Sequence, residues 1–217
     1  MKFDRKKLKK HLELYLVSDR FWLAGRELQS DIEKAIEGGV SFVQIREKEL
    51  PVEDFIQEAK KIKELCERHE IPFVVNDSVE VAKAVDADGI HVGQSDMPAI
   101  EVRKILGEDK IVGVSAQSVE DALRAQEEGA DYLGVGAMFS TKTKKDADDV
   151  SFATLKAIVE AVHIPVIAIG GIDEHNLLEL KGSGIDGVAI VSAIMAKENI
   201  FEASKILKKK TQELVKC

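Results

Sequence analysis

The segment Gln44–Lys48 places an amide and two cations at alternating positions, in and directly after an apolar, β-branched run. If that run forms a strand, Gln44, Arg46 and Lys48 lie on one side of it, because side chains alternate between the two faces of a strand. An arginine can bind two oxygens at once and a lysine acts as a point charge, so this set suits a diphosphate. The alternative is a solvated turn of Arg, Glu and Lys at a strand end.

Two aspartates, Asp77 and Asp96, follow the next two predicted strands, 73–75 and 89–92. These strands are predicted to be neighbours, so both carboxylates are expected to face the basic cluster of the preceding strand. A few hard oxygen ligands are what Mg²⁺ takes when it binds a diphosphate. The alternative is that both aspartates are helix N-caps. Zn²⁺ is disfavoured, because no second histidine or cysteine follows His91 at ligand spacing.

A second anion site is predicted near the end of the chain. The apolar runs 166–169 and 187–191 are followed by Gly170-Gly171 and by Ser192. Turns of this kind expose backbone N–H groups that can bind a phosphate. The polar loop 139–150 carries hydroxyls and cations and suits a lid over that phosphate. The alternative is that the glycines only turn the chain, that Ser192 caps a helix, and that the loop is solvated.

These residues require a scaffold that brings strand ends together. Short apolar runs without polar alternation, typical of a parallel sheet buried on both faces, alternate with amphipathic segments. The predicted strands are 14–17, 42–45, 73–75, 89–92, 111–114, 132–135, 166–169 and 187–191. The predicted helices are 1–12, 27–37, 52–68, 79–85, 100–106, 118–128, 152–162, 174–181 and 200–214.

The order of these elements predicts the α/β class and a single-domain (β/α)8 TIM barrel with an extra N-terminal helix. Residues 1–12 form the leading helix and 13–217 the barrel. A weak repeat at 35–42, 127–132 and 182–187, each ending a helix on glycine and restarting a strand, supports a repeated unit. A doubly wound open sheet is the alternative. In a barrel, reactive residues lie at the carboxyl ends of strands.

Composition narrows the function classes. The net charge of −8 over 217 residues gives no support to nucleic-acid binding, so an anionic ligand needs a local basic cluster. Cys66 and Cys217 have neither metal-ligand spacing nor the pattern of a disulfide framework, which fits a reducing compartment. With neither a membrane-length apolar run nor the apolar core of a signal peptide, we expect a cytoplasmic protein without a membrane partner.

Six segments in the correct order resemble the thiamine phosphate synthases and their thiazole tautomerase relatives. The resemblance covers nearly the whole chain, from Leu14 to Ala193. The most specific segments are Val43–Lys48, Val75–Asp77, His91–Asp96, Gly113–Ser115, Gly134–Gly136 with Thr141–Lys144, and Ile169–Ile172. Agreement of all six in this order makes chance an implausible explanation.

The resemblance implies a transferase that moves a hydroxymethylpyrimidine group from its diphosphate to the ring nitrogen of a thiazole phosphate or its carboxylated form. Thiamine phosphate and pyrophosphate would result, by a dissociative displacement with Mg²⁺ as cofactor. It assigns the pyrimidine diphosphate to Gln44, Arg46, Lys48, Asn76, Ser115 and Lys144, with catalysis by Arg46, Lys48, Ser115 and Lys144. It assigns Mg²⁺ to Asp77 and Asp96, and the thiazole phosphate to Thr141, Thr143, Gly171, Val191 and Ser192.

The chain departs from the family at Ala137 and Ser140, where prolines are common, and at Gln117, near which a histidine is common. The first two predict a looser loop, and none removes a charged residue of the predicted site. Three alternatives stay open: a thiazole tautomerase-like isomerase, another phosphate-binding barrel enzyme that shares only the second anion site, and a catalytically silent binder of thiamine phosphate. The sequence does not specify whether the protein is a homo-oligomer.

Overall fold

A computed structural model describes residues 7–140 and 149–215. Its strands pair in parallel, each with the next along the chain, and the last pairs with the first. The strands are β1 Leu14–Val17, β2 Phe42–Ile45, β3 Phe73–Asn76, β4 Gly89–Val92, β5 Ile111–Ala116, β6 Tyr132–Val135, β7 Val166–Ile169 and β8 Gly187–Ile190. The predicted (β/α)8 barrel is therefore confirmed, and the open doubly wound sheet is wrong because a sheet closed on itself has no edges.

Helices surround the barrel, except for the first, which precedes β1 and lies at one end of it. They are α1 Leu8–His11, α2 Leu28–Glu37, α3 Val52–Arg68, α4 Val79–Ala84, α5 Ala99–Leu106, α6 Val119–Glu127, α7 Phe152–Ala161, α8 Ser192–Met195 and α9 Ile200–Val215. Ser118 caps the α6 N-terminus, since its Oγ accepts a hydrogen bond from the Asp121 backbone N–H. Among the described residues, no helix combines the length and the apolar character needed to cross a membrane.

Strand side chains fill two cores. The larger core lies between the strands and the surrounding helices, and the smaller one fills the barrel interior around Tyr15, Phe42 and Tyr132. Leu8 and Leu12, at either end of α1, belong to the interior cluster and are almost fully buried. The described part of the leading helix therefore closes the barrel at the end where the strands begin.

Strands are joined in pairs by a recurring hydrogen bond at that same end. The residue directly before each even-numbered strand accepts, through its side chain, a hydrogen bond from a backbone N–H at the start of the preceding odd-numbered strand. These strand-pair clamps are Ser41 with Leu14 at 3.3 Å, Asp88 with Phe73 at 2.9 Å, Asp131 with Val112 at 2.8 Å and Asp186 with Val166 at 2.9 Å. They give the weak sequence repeat a physical basis, since the repeated unit is a pair of strands.

The helix predicted at 174–181 is wrong, because only a 3₁₀ turn forms, at Leu177–Leu180. Leu177 and Leu180 are both buried, and residues three apart share a face in a 3₁₀ helix with three residues per turn. The segment is also short: Asp173 Oδ1 binds the N–H groups of His175 and Asn176 at its start, and the turn is over by Lys181. Regular structure in this segment is therefore confined to Leu177–Leu180.

Candidate active site

The loops after β1 and β2 pair their charged side chains at the carboxyl rim of the barrel. Arg46 Nη1 donates to Asp19 Oδ2 at 3.2 Å, and its backbone N–H donates to the buried Ser18 Oγ at 3.0 Å. Glu47 accepts two hydrogen bonds from Arg20 and its side chain is only 4% exposed. The segment is therefore not the freely solvated turn that was the alternative: Arg46 is held in place beside β1.

Lys48, Asp77 and Asp96 come together at the ends of β2, β3 and β4. Lys48 Nζ donates to Asp77 Oδ2 at 2.6 Å, and the carboxyl group of Asp77 lies close enough to that of Asp96 to raise its pKa. Asp77 adopts a left-handed conformation with φ +60°, which aspartate tolerates better than most residues. The Gly93 backbone N–H donates to Asp96 Oδ2 at 2.7 Å and orients that carboxylate.

The alternative that these aspartates cap helices is excluded. Ser78 is the N-cap of α4, and Pro98 is the N-cap of α5 without any side-chain bond. Burial raises the pKa of Asp96, and the hydrogen bond and repulsion from Asp77 raise it further, against the pull of the Gly93 N–H and of Lys48. Two carboxylates that repel each other in this way gain by binding a cation between them.

A chain of hydrogen bonds crosses the barrel interior from Gln44 to Ser115. Gln44 Nε2 donates to Tyr15 Oη at 2.5 Å, and Tyr15 Oη lies 2.8 Å from Tyr132 Oη. His91 Nδ1 lies 3.0 Å from Tyr132 Oη, and His91 Nε2 lies 3.0 Å from Ser115 Oγ. Sequence reasoning found the two ends of this chain but missed Tyr15, Tyr132 and His91. The available signal was two tyrosines and a histidine inside strands that are otherwise apolar.

The main chain at Ser115 is held separately from its hydroxyl. Ser115 lies within β5 and pairs with Gly134 of β6, and Gln94 Nε2 donates to its carbonyl oxygen at 2.5 Å. Arg124 donates in turn to Gln94 Oε1 at 2.5 Å and to Asp121 Oδ1 at 2.7 Å. Gln94 and Arg124 also escaped the sequence interpretation, because their contact joins the loop after β4 to helix α6, 30 residues away.

The turns after β7 and β8 are built as tight bends. Gly170 and Gly171 have φ +94° and +65°, and the Phe139 backbone N–H donates to the Gly170 carbonyl at 3.0 Å. The start of the 139–150 loop therefore lies against the β7 turn, as expected. Val191 is the N-cap residue of α8 and Ser192 is its first residue, so the alternative that the Ser192 side chain caps a helix is excluded.

Several predicted residues need a separate note. Thr141, Thr143 and Lys144 lie outside the described residues. Asn76 ends β3, and its carbonyl accepts a hydrogen bond from the Ser78 N–H at 2.7 Å. Among the departures from the family pattern, Ala137 is buried and its carbonyl accepts from the Val150 N–H at 2.7 Å, while the Gln117 N–H donates to Asp121 Oδ2 at 3.3 Å.

Comparison with known proteins gives a consistent result. The family model described as thiamine monophosphate synthase matches residues 14–194. Thiamine-phosphate synthases of Clostridium tetani and Clostridium beijerinckii are each 54% identical to this chain, over 89% and 90% of it and 93% of their own length. The solved thiamine phosphate pyrophosphorylase from Pyrococcus furiosus has 38% identity and a TM-score of 0.88, covering 95% of this chain and 98% of its own.

Proposed function

Because the chain belongs to the thiamine monophosphate synthase family, we propose that it joins a hydroxymethylpyrimidine diphosphate to a thiazole phosphate. The products are thiamine phosphate and pyrophosphate, which makes the protein a transferase. Similarity to thiamine-phosphate synthases extends over about nine tenths of the chain. The family match at residues 14–194 includes the residues predicted to bind the pyrimidine diphosphate and those predicted to bind the thiazole phosphate.

The observation that carries this proposal is the cluster of Lys48, Asp77 and Asp96 next to Arg46. An isomerase acting only on a thiazole phosphate has no use for two cations and a carboxylate pair on adjacent strand ends. Each cation is already paired, Lys48 with Asp77 and Arg46 with Asp19, so its side chain is held at the rim before substrate arrives. A diphosphate would take over the two cations, which offer hydrogen-bond donors of the right charge.

The donor set fits Mg²⁺. Two carboxylates are available, and the described residues hold no group of three or more His, Cys, Asp or Glu that could bind a metal without substrate. Mg²⁺ is usually bound through one or two carboxylates together with phosphate oxygens and waters. We therefore assign Asp77 and Asp96 as its protein ligands, and when bound it would neutralise charge on the leaving diphosphate.

Arg46 and Lys48 would stabilise the negative charge that develops on the leaving diphosphate. As the bond between the methylene carbon and the diphosphate oxygen breaks, negative charge grows on the leaving group. Arg46 and Lys48 would then interact more strongly with the diphosphate than in the ground state, which lowers the barrier. The amino group of the pyrimidine can stabilise the resulting cation, and the thiazole nitrogen is already a nucleophile. A strong base is therefore unnecessary, and we assign a dissociative displacement.

The thiazole phosphate is assigned to the turns after β7 and β8. Gly171, Val191 and Ser192 lie there, and the bends at Gly170-Gly171 allow the backbone to approach a ligand closely. The roles of Thr141, Thr143 and Lys144 rest on the family pattern alone.

The test is an incubation of purified protein with both substrates, with and without Mg²⁺, in which thiamine phosphate is followed by its fluorescent oxidation product. Product that requires Mg²⁺ supports the synthase. If thiazole phosphate raises the melting temperature but no product forms, the diphosphate half is misassigned, and an isomerase or a silent binder takes its place.

A further inference from the structure

The hydrogen-bond chain between Gln44 and Ser115 has a direction. The amide of Gln44 donates to Tyr15, so the Tyr15 hydroxyl proton is free to donate to Tyr132. With Tyr15 donating to it, Tyr132 can donate to His91 Nδ1, an arrangement that fits a neutral imidazole without a proton on Nδ1. In a neutral imidazole the proton is consequently on Nε2, which donates to Ser115 Oγ.

Burial keeps both tyrosine hydroxyls protonated, which preserves the direction of the hydrogen-bond chain. Tyr15 and Tyr132 are 1% and 0% exposed, and burial raises the pKa of both phenols, so each keeps the proton that it donates. The last acceptor is Ser115 Oγ. When that oxygen accepts from His91, its own hydroxyl proton is left to donate to another group.

From this arrangement we infer that Tyr132 and His91 are positioning residues that fix the Ser115 hydroxyl as a hydrogen-bond donor to the pyrimidine ring. The inference rests on the proposed function. Its consequence is specificity: Ser115 can bind a ring nitrogen that carries a lone pair but not one that carries a proton. A neutral hydroxyl also withdraws less electron density than a cation would, so the ring stays electron-rich when the methylene carbon becomes positive.

Two glycines leave room for the side chains of Tyr132 and His91 in the hydrogen-bond chain. A Cβ at Gly113 would overlap the ring and hydroxyl of Tyr132, and a Cβ at Gly134 would lie 3.1 Å from His91 Cε1. Both glycines belong to β5 and β6, where a larger residue would otherwise pack well. The two strands therefore lack packing side chains at the positions next to Tyr132 and His91.

The first experiment combines two substitutions in a double-mutant cycle. Tyr132→Phe removes the donor to His91 Nδ1, which lets the imidazole proton move there and leaves Nε2 to accept from Ser115. We expect the KM for the pyrimidine diphosphate to rise about five- to tenfold, the loss of one hydrogen bond, with kcat and the KM for thiazole phosphate changed less than about twofold. Ser115→Ala should raise the KM for the pyrimidine diphosphate by a similar factor, and adding Tyr132→Phe to it should raise that KM no further.

Controls separate positioning from stability. Tyr15→Phe removes a hydroxyl from the same hydrogen-bond chain but leaves Tyr132 able to donate to His91. We therefore expect the KM for the pyrimidine diphosphate to rise only about twofold. Thr211→Val removes a buried hydroxyl that donates to the Leu207 carbonyl in α9, and it should lower the melting temperature without changing either KM. Effects of Tyr132→Phe and Ser115→Ala that multiply, or equal rises in both KM values, overturn the inference.

A second measurement does not depend on activity. Long-range ¹⁵N–¹H correlation spectra of the histidine-labelled wild type, with His91 assigned by its absence in His91→Gln, report which ring nitrogen carries the proton. A bare Nδ1 and a protonated Nε2 support the inference, and a proton on Nδ1 overturns it. If the wild type forms no thiamine phosphate at all, the proposed function fails while this spectrum still decides the direction of the chain.

Discussion

Replacing Gly171 by alanine tests the thiazole phosphate half of the site. With φ +65°, alanine would be held in the left-handed region at a cost of about 1–2 kcal/mol. The new Cβ would also overlap the carbonyl groups of Phe139 and Ser140, and displacing packed groups costs about 1–3 kcal/mol. The sum of about 2–5 kcal/mol corresponds to a fall in melting temperature of about 4–20 °C for a chain of this length.

A matched control exists at Gly182. It also has a positive φ, +84°, but a Cβ there would meet nothing within 4 Å. Gly182→Ala should therefore carry only the conformational cost of about 1–2 kcal/mol, or about 2–8 °C.

The assay is calorimetric unfolding of both variants, followed by kinetics in which each substrate is varied in turn. The Gly171 variant should raise the KM for thiazole phosphate far more than that for the pyrimidine diphosphate, because the overlap pushes the loop off the β7 turn. The reasoning is refuted if Gly182→Ala is as destabilised as Gly171→Ala, or if both KM values rise equally.

Three further predictions concern other charged residues. Asp96→Asn should raise the Mg²⁺ concentration for half-maximal pyrophosphate release by about tenfold or more; Asp86→Asn, at an aspartate paired with Lys110, is the control, and an unchanged Mg²⁺ titration would contradict the ligand assignment. Lys144→Ala should lower kcat by about a hundredfold with little loss of thiazole phosphate binding, measured by steady-state kinetics and calorimetry, and equal losses would exclude its role at the leaving group. Because burial raises the pKa of Asp88, the folded state binds its proton more tightly than the unfolded state, and this contribution to stability is lost as pH rises through the folded pKa. Asp88→Asn should therefore be more stable than wild type to urea at neutral pH, with the difference disappearing in acid; a difference that persists in acid would show another cause.

The strands were predictable because each is a short β-branched run bounded by polar or glycine residues. Strand β5 differed most in length: Ser115 looked like the first residue after a strand, whereas it pairs with Gly134 inside one. Periodicity failed at 174–181, because the buried Leu177 and Leu180 are three residues apart, a spacing that an α-helix and a 3₁₀ turn can both place on one face.

The site was predictable where its residues lie at strand ends and was missed where they face inward. Asp77 and Asp96 could be predicted to lie close together, because parallel neighbouring strands end at the same rim of the barrel. The contact of Tyr15 with Tyr132 depends instead on which inward positions of distant strands reach the same layer of the barrel. That depends on the stagger of the closed sheet, which local sequence patterns do not encode.

The strand-pair clamps also bear on how the chain folds. Each clamp joins residues only 15 to 27 positions apart, so closing it costs little loop entropy, and all of them lie at the end of the barrel away from the substrates. We expect two-strand units to form early and independently, and the pairing of β8 with β1, whose partners lie near opposite ends of the chain, to complete the ring last. Slower refolding after loss of a clamp, compared with unchanged refolding after a change at the β8 and β1 seam, would establish that order.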